Sequence, residues 1–192
     1  MKTAGDWSRI ILDLYRERGA MEYEGEGVTQ IAHAAQCGTL ARVADAHPEL
    51  ELAAWLHDIG HLLAGLPGTP TLEGINDHHE SRGAAFLTEA FGPEVGEPVG
   101  LHVAAKRYLV AVNPRYYDGL SADSRRSLRL QGGPMSPMEQ ETFRKHPYAR
   151  DALRVRMWDE AAKLPQSDTD ALVRLERVLL SVRARRKPAE KG

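Results

Sequence analysis

The densest chemistry in this 192-residue sequence is the hexapeptide Leu56-His57-Asp58-Ile59-Gly60-His61. Imidazole nitrogens mixed with carboxylate oxygens suit iron, manganese or cobalt better than calcium, and there is no cysteine cluster to suggest a structural zinc. Adjacent residues diverge by about 100° on a helix. His57 and Asp58 therefore meet one metal only at a helix end or from different sides of it. His57 and His61 are four residues apart and share a helical face. A single histidine of this kind is more often a hydrogen-bonded core residue than a ligand, but the hexapeptide taken as a unit reads as a metal motif.

Other polar groups could surround such a centre. His79 opens a helix beside Glu80, and this pairing favours it over its neighbour His78; His102 lies inside a later helix. Lys106 falls four residues after His102, on the same face. Tyr23-Glu24-Gly25-Glu26 precedes Thr29-Gln30 and His33, and a serine-rich stretch from Leu120 to Ser127 leads to Gln131-Gly132-Gly133-Pro134. Each has an ordinary reading: a lysine on a helix usually faces solvent, serines usually cap helices, and Gln-Gly-Gly-Pro is a turn. His47 and His146 each precede a proline near a helix start and read as structural or exposed.

The elements that must position these groups are helices. Apolar spacing of three and four dominates, with no convincing period-two run. Trp7, Ile10, Ile11 and Leu14 make one stripe that ends near Gly19, and Val28 to Ala46 makes a second helix. Pro48 opens a third, which carries Leu52, Leu56 and Ile59. A loop runs from Gly65 to about Asp77, a helix from about Glu80 ends at Gly92-Pro93, and Pro98 starts another. Ser121 caps a short helix, Ser136-Pro137-Glu139 has the spacing of a capping box, and Pro147 opens a helix through Trp158. Ser167 or Asp168 caps the last one. The expectation is an all-α fold in a single domain spanning 1–192, with 186–192 a frayed tail.

Composition adds limits. With 27 acidic and 25 basic side chains the net charge is −2, which argues against a nucleic-acid binder. The lone Cys37 forms no internal bridge, and the N-terminal apolar stretch is too short and interrupted for a signal peptide or a membrane span. A cytoplasmic protein is expected, with no membrane, no nucleic acid and no obligate protein partner.

The His57-Asp58 hexapeptide resembles the defining motif of the HD superfamily, an all-helical fold with its metal in the core of the bundle. In that superfamily a histidine, a His-Asp doublet and a distant aspartate hold the metal. The resemblance implies His33 as the upstream histidine and Asp159 as the distant aspartate; Asp151 competes, and the preceding Arg156-Met157-Trp158 favours Asp159. The added His79 and His102 would supply a second metal, with Asp58 bridging the two.

The wider set, over about residues 20–160, resembles the organophosphonate-cleaving, mixed-valent diiron oxygenases of the superfamily. That resemblance implies two iron ions, Fe(II) and Fe(III), O2 as co-substrate, and a small organophosphonate as substrate. The expected reaction breaks the C–P bond of a 1-hydroxy-2-aminoethylphosphonate, or its N-trimethylated form, to give glycine or glycine betaine and phosphate. Tyr23 would occupy the second iron until substrate displaces it, and Glu26 would face the cationic head. His61, Lys106, Ser124, Ser127 and Arg156 would surround the phosphonate, Arg156 with two parallel bonds; Tyr23, His61 and Lys106 are the expected catalytic groups. The alternative is an HD phosphohydrolase acting on a small phosphate ester or nucleotide, which gives no reason for Tyr23, Glu26, Ser124 and Ser127.

Overall fold

A computed structural model describes residues 3–22, 27–66, 70–164 and 168–185. Among these the regular structure is helical. It consists of α1 (Ala4–Arg18), α2 (Gln30–Val43), α3 (Pro48–Leu56), α4 (Ile59–Ala64), a 3-10 turn at Pro70–Glu73, α5 (His79–Phe91), α6 (Pro93–Val112), α7 (Pro114–Gly119), α8 (Ala122–Leu130), α9 (Pro137–Lys145), α10 (Ala149–Ala161) and α11 (Ala171–Arg185). The only extended pairing described is an isolated antiparallel bridge between Glu22 and Thr29.

Beyond its acidic first turn, helix α3 is apolar on every side from Leu52 to Leu56, and such a segment belongs inside a protein. Leu50, Leu52, Ala53, Ala54, Trp55 and Leu56 are all buried. Around it pack α2, α6, α10 and α11, and the main core joins Ile11, Leu50, Leu56, Leu87, Val95 and Leu179. Trp7 of α1 meets Phe86 of α5 edge to face at 5.1 Å, closing the bundle on that side.

Local signals start several helices where the sequence expects, while α10 begins at Ala149, two residues beyond Pro147, and α11 at Ala171, three beyond Asp168. Ser136 and Glu139 form a reciprocal capping box, Ser121 accepts from Ser124 N–H at 3.1 Å, and Pro48 stands in the first turn of α3. The start of α6 differs: it begins at Pro93, and Pro98 lies inside it. Gly92, at φ 89°, serves both as the end of α5 and the cap of α6, so the chain turns there and not five residues later. Pro98 removes one backbone donor early in the helix, a loss the remaining turns tolerate. The expected loop after Gly65 contains the 3-10 turn, and α7 fills a stretch for which no helix is expected. The C-terminal segment 186–192 and Ser167 lie outside the described residues.

Candidate metal centre and substrate cavity

The His-Asp doublet stands at a helix break. Helix α3 stops at Leu56, with His57 as its C-cap, and α4 starts at Ile59 after Asp58 takes φ −102° and ψ 11°. The break lets adjacent side chains face one centre, with His57 Nε2 3.1 Å from Asp58 Oδ2. Gly60 is required by close approach, since a Cβ there would stand 2.0 Å from the backbone carbonyl oxygen of His79. That contact brings the first turn of α5 against the doublet. His78 before it adopts a left-handed conformation at φ 51°, which turns its own side chain outward, 69% exposed, and leaves His79 buried. The choice of His79 over His78 follows from this turn.

Asp58 divides its two oxygens between two groups of imidazoles. Its Oδ2 lies 3.1 Å from His57 Nε2 and 3.7 Å from His33 Nε2, and both nitrogens lie within 3.7 Å of Asp159 Oδ1. Its Oδ1 lies 3.5 Å from His79 Nε2 and 3.6 Å from His102 Nε2. Within each group the Nε2 atoms point at each other, at 3.3 Å for His33 and His57 and 3.2 Å for His79 and His102. His33, His57, Asp58 and Asp159 come from α2, the α3–α4 junction and α10, and form a cluster that could hold a metal ion. His61 also comes within reach of Asp58 and His79.

The far side of each ring is anchored. The Nδ1 atoms of His33, His57 and His102 lie 2.8, 2.9 and 2.7 Å from the carbonyl oxygens of Ala162, Ala54 and Val99, and His79 Nδ1 lies 2.9 Å from Asp77 Oδ1. An imidazole that donates from Nδ1 presents the lone pair of Nε2, the arrangement a metal requires. Asp159 Oδ1 is buried without a hydrogen-bond donor, so the donor set fits a cation. Burial alone would raise the carboxyl of Asp58, but His57 above all holds it well below the usual carboxylate range. For Asp159 the ion pair with Arg156 does the same. Burial disfavours charge on His57, yet Asp58 and Asp159 outweigh it and push the imidazole up to about 10. His102 is pushed down to about 3, chiefly by burial.

A cavity opens beside Asp58, His79 and His102, walled by Lys106, Ser124 and Arg156. The structure brings every described residue expected in the substrate site to this cavity: His61, Lys106, Ser124, Ser127 and Arg156. His57 and His61 do not share a helical face, because the break at 57–58 separates them. His61 instead stacks on His79 at 3.9 Å and places Nδ1 2.7 Å from Asp77 Oδ2. The Ser127 hydroxyl accepts from Lys106 Nζ at 2.8 Å and donates to the carbonyl of Ser124 at 3.2 Å, so it holds the lysine in place. Arg156 directs Nε to Tyr116, Nη1 to Asp159, and Nη2 to Glu160 and Ser124. Four of its five N–H groups are engaged, so the two parallel bonds expected toward an anion would require releasing one of these. Tyr23 and Glu26 lie outside the described residues.

Sequence reasoning missed Asp77, Tyr116, Glu160 and Lys163. Asp77 had a signal: an aspartate two residues before a histidine at a helix start accepts from the backbone and from the ring together. Glu160 lies four residues after Arg156 on α10, a spacing that faces the two on one side of the helix, whereas Tyr116 and Lys163 meet Arg156 and Ser124 only through the packing of distant segments.

No protein-family model matches the chain. It is 42% identical over 164 residues to the hydroxymethylphosphonate dioxygenase of Gimesia maris, covering 85% of this chain and 81% of that protein. It is 39% identical over 166 residues to the 1-hydroxy-2-(trimethylamino)ethylphosphonate dioxygenase (glycine-betaine-forming) of Leisingera caerulea, covering 86% of this chain and 84% of that one. With such likeness extending across the helices that build the His–Asp cluster, this chain belongs to the phosphonate dioxygenases, the organophosphonate-cleaving branch of the HD superfamily.

Proposed function

We propose that the protein uses two iron ions, in a mixed-valent Fe(II)/Fe(III) pair, and O2 to cleave the C–P bond of a 1-hydroxy-2-aminoethylphosphonate or its N-trimethylated form. The products are glycine or glycine betaine, with phosphate. The reaction balances with one O2 per turnover: C1 becomes a carboxylate, phosphorus gains one oxygen, and the C1 hydrogen ends as a proton. The observation that carries this reading is the two-sided placement of Asp58, with a histidine pair on each carboxylate oxygen. His33, His57, Asp58 and Asp159 would hold one iron, and His79, His102 and Asp58 the other. When bound, the irons supply the redox chemistry with O2.

The chain's own residues bind and aim the substrate. Lys106 and Arg156 bring positive charge to the phosphonate, and Ser124 brings a hydroxyl. His61 stands between Asp77 and the iron side of the cavity, able to pass or keep a proton there. Glu26 is assigned to the cationic head and Tyr23 to the open position on the second iron, both from the family resemblance. No described helix is long and apolar enough to cross a membrane; a cytosolic setting is part of the same proposal.

Turnover under labelled dioxygen, repeated without oxygen, tests the reading. Label should enter the products, O2 should disappear in step with phosphate, and full anaerobic phosphate release would establish a phosphohydrolase in its place. Substrate choice follows from comparing three hydroxyphosphonates: the primary amine, the trimethylated form, and hydroxymethylphosphonate, which has no cationic head. Glu26→Gln should impair turnover of the first two and spare the third.

A further inference from the structure

Lys163 lies just beyond the end of α10, behind the wall of the cavity. Its Nζ donates to Ser124 Oγ at 3.2 Å and to Ser121 Oγ at 2.9 Å. Arg156 Nη2 donates to the same Ser124 oxygen at 3.3 Å. A hydroxyl oxygen accepts through two lone pairs and donates one proton. With both lone pairs of Ser124 directed at cations, its proton has to point elsewhere, and no acceptor among the described residues takes it. Ser124 is buried and lines the cavity beside Lys106 and Arg156.

We infer that Lys163 is a positioning residue for substrate: with Arg156 it turns the Ser124 hydroxyl into an obligate donor aimed at a tetrahedral oxyanion in the cavity. The inference rests on the phosphonate reading of that cavity. It gives the serine a fixed polarity before substrate arrives, so no hydroxyl reorientation is needed on binding. It also explains why a lysine stands behind a serine at the start of α8. The Ser121 hydroxyl already caps that helix by accepting from Ser124 N–H at 3.1 Å, so Lys163 is not needed to satisfy the backbone.

The test is calorimetric binding of methylphosphonate, an unreactive tetrahedral oxyanion, to iron-loaded protein, with iron content measured alongside. Lys163→Met should weaken binding about tenfold, the scale of one charge-assisted hydrogen bond, with iron content unchanged. Lys163→Arg keeps a donor and should recover most of the loss. In a Ser124→Ala background, Lys163→Met should cost less than twofold, because the lysine then has no hydroxyl to orient. Ser121→Ala should leave the affinity within twofold of wild type. Equal weakening by Lys163→Met with and without Ser124 would overturn the inference, as would a comparable loss from Ser121→Ala, which would reduce Lys163 to a helix brace. No methylphosphonate binding by wild-type protein would overturn the phosphonate reading and this inference together, whereas binding without coupling overturns this inference alone.

Discussion

Arg156 and Asp159, one helical turn apart on α10, form a buried ion pair in which Asp159 gives Oδ2 to the guanidinium and turns Oδ1 to His33 and His57. One carboxylate therefore joins the wall of the cavity to the His–Asp cluster. Glu160, the next residue, holds the same guanidinium from its other side. A change at Arg156 should be felt in both places.

Arg156→Ala leaves Asp159 without its cation and leaves Glu160 only Lys163, at 3.8 Å. In chelated protein this should cost about 3–5 kcal/mol, the usual loss when one partner of a buried pair is removed. Iron loading should return part of that stability, since the metal replaces the missing charge. Thermal unfolding with and without iron reads both effects. Arg156→Lys keeps the charge but loses the planar fork, so iron should be retained while the KM for the phosphonate rises at least about tenfold. Loss of iron in the lysine variant would remove Arg156 from the substrate role.

Iron stoichiometry separates the two sides of Asp58. His102→Ala should lower reconstituted iron from two per chain to one, and Asp58→Ala should lower both occupancies, because each of its oxygens faces a different histidine pair. Elemental analysis after anaerobic reconstitution reads the count. A wild-type value of one, unchanged in His102→Ala, would contradict the dinuclear assignment.

Gly60→Ala places a methyl group 2.0 Å from the His79 carbonyl oxygen and 2.6 Å from its carbonyl carbon, and backbone cannot swing aside as a side chain does. The variant should lose stability by about 1–3 kcal/mol or more and displace His79 from the cluster. Iron should fall on the His79 side first, and denaturant unfolding should show the cost even in chelated protein. A fully loaded variant of wild-type stability would show that α4 and α5 do not meet so closely.

His57 gives a pH signature with a definite sign. Its imidazole in the metal-free protein is raised to about 10, against roughly 6.5 in an unfolded chain. Its contribution is thus fully present below about 6.5 and is lost as pH rises through about 10. Metal binding must displace that proton, so metal affinity should rise over the same window in which the stability of the chelated protein falls. Zinc, as a redox-inert probe titrated against a competing chelator between pH 6.5 and 9, should bind more tightly as pH rises. The unfolding midpoint of chelated protein should move the opposite way, and parallel trends would show that His57 carries no extra proton.

Most of the helices, several of their caps and the chemistry of the doublet were legible in the residues themselves, though α7 and the start of α6 were not. Ser136-Pro137-Glu139 and Ser121 cap helices by local bonds that depend on neighbours in sequence, and the apolar run Leu52–Leu56 of α3 could only be buried. Local rules reach this far because their partners lie within one helical turn. Tertiary structure decided the rest. That His57 and Asp58 face one centre depends on a helix break between Leu56 and Ile59, and that Asp58 serves two sides depends on α2, α5, α6 and α10 meeting there. Asp77 grips His61 and His79 together only because α4 and α5 touch at Gly60. Lys163 reaches Ser124 from 39 residues away, and Arg156 gives its Nε to Tyr116 from 40 residues away. Residue type and spacing determine which groups can bind a metal or an oxyanion; the packing of distant helices determines which lone pairs and protons remain for the ligand.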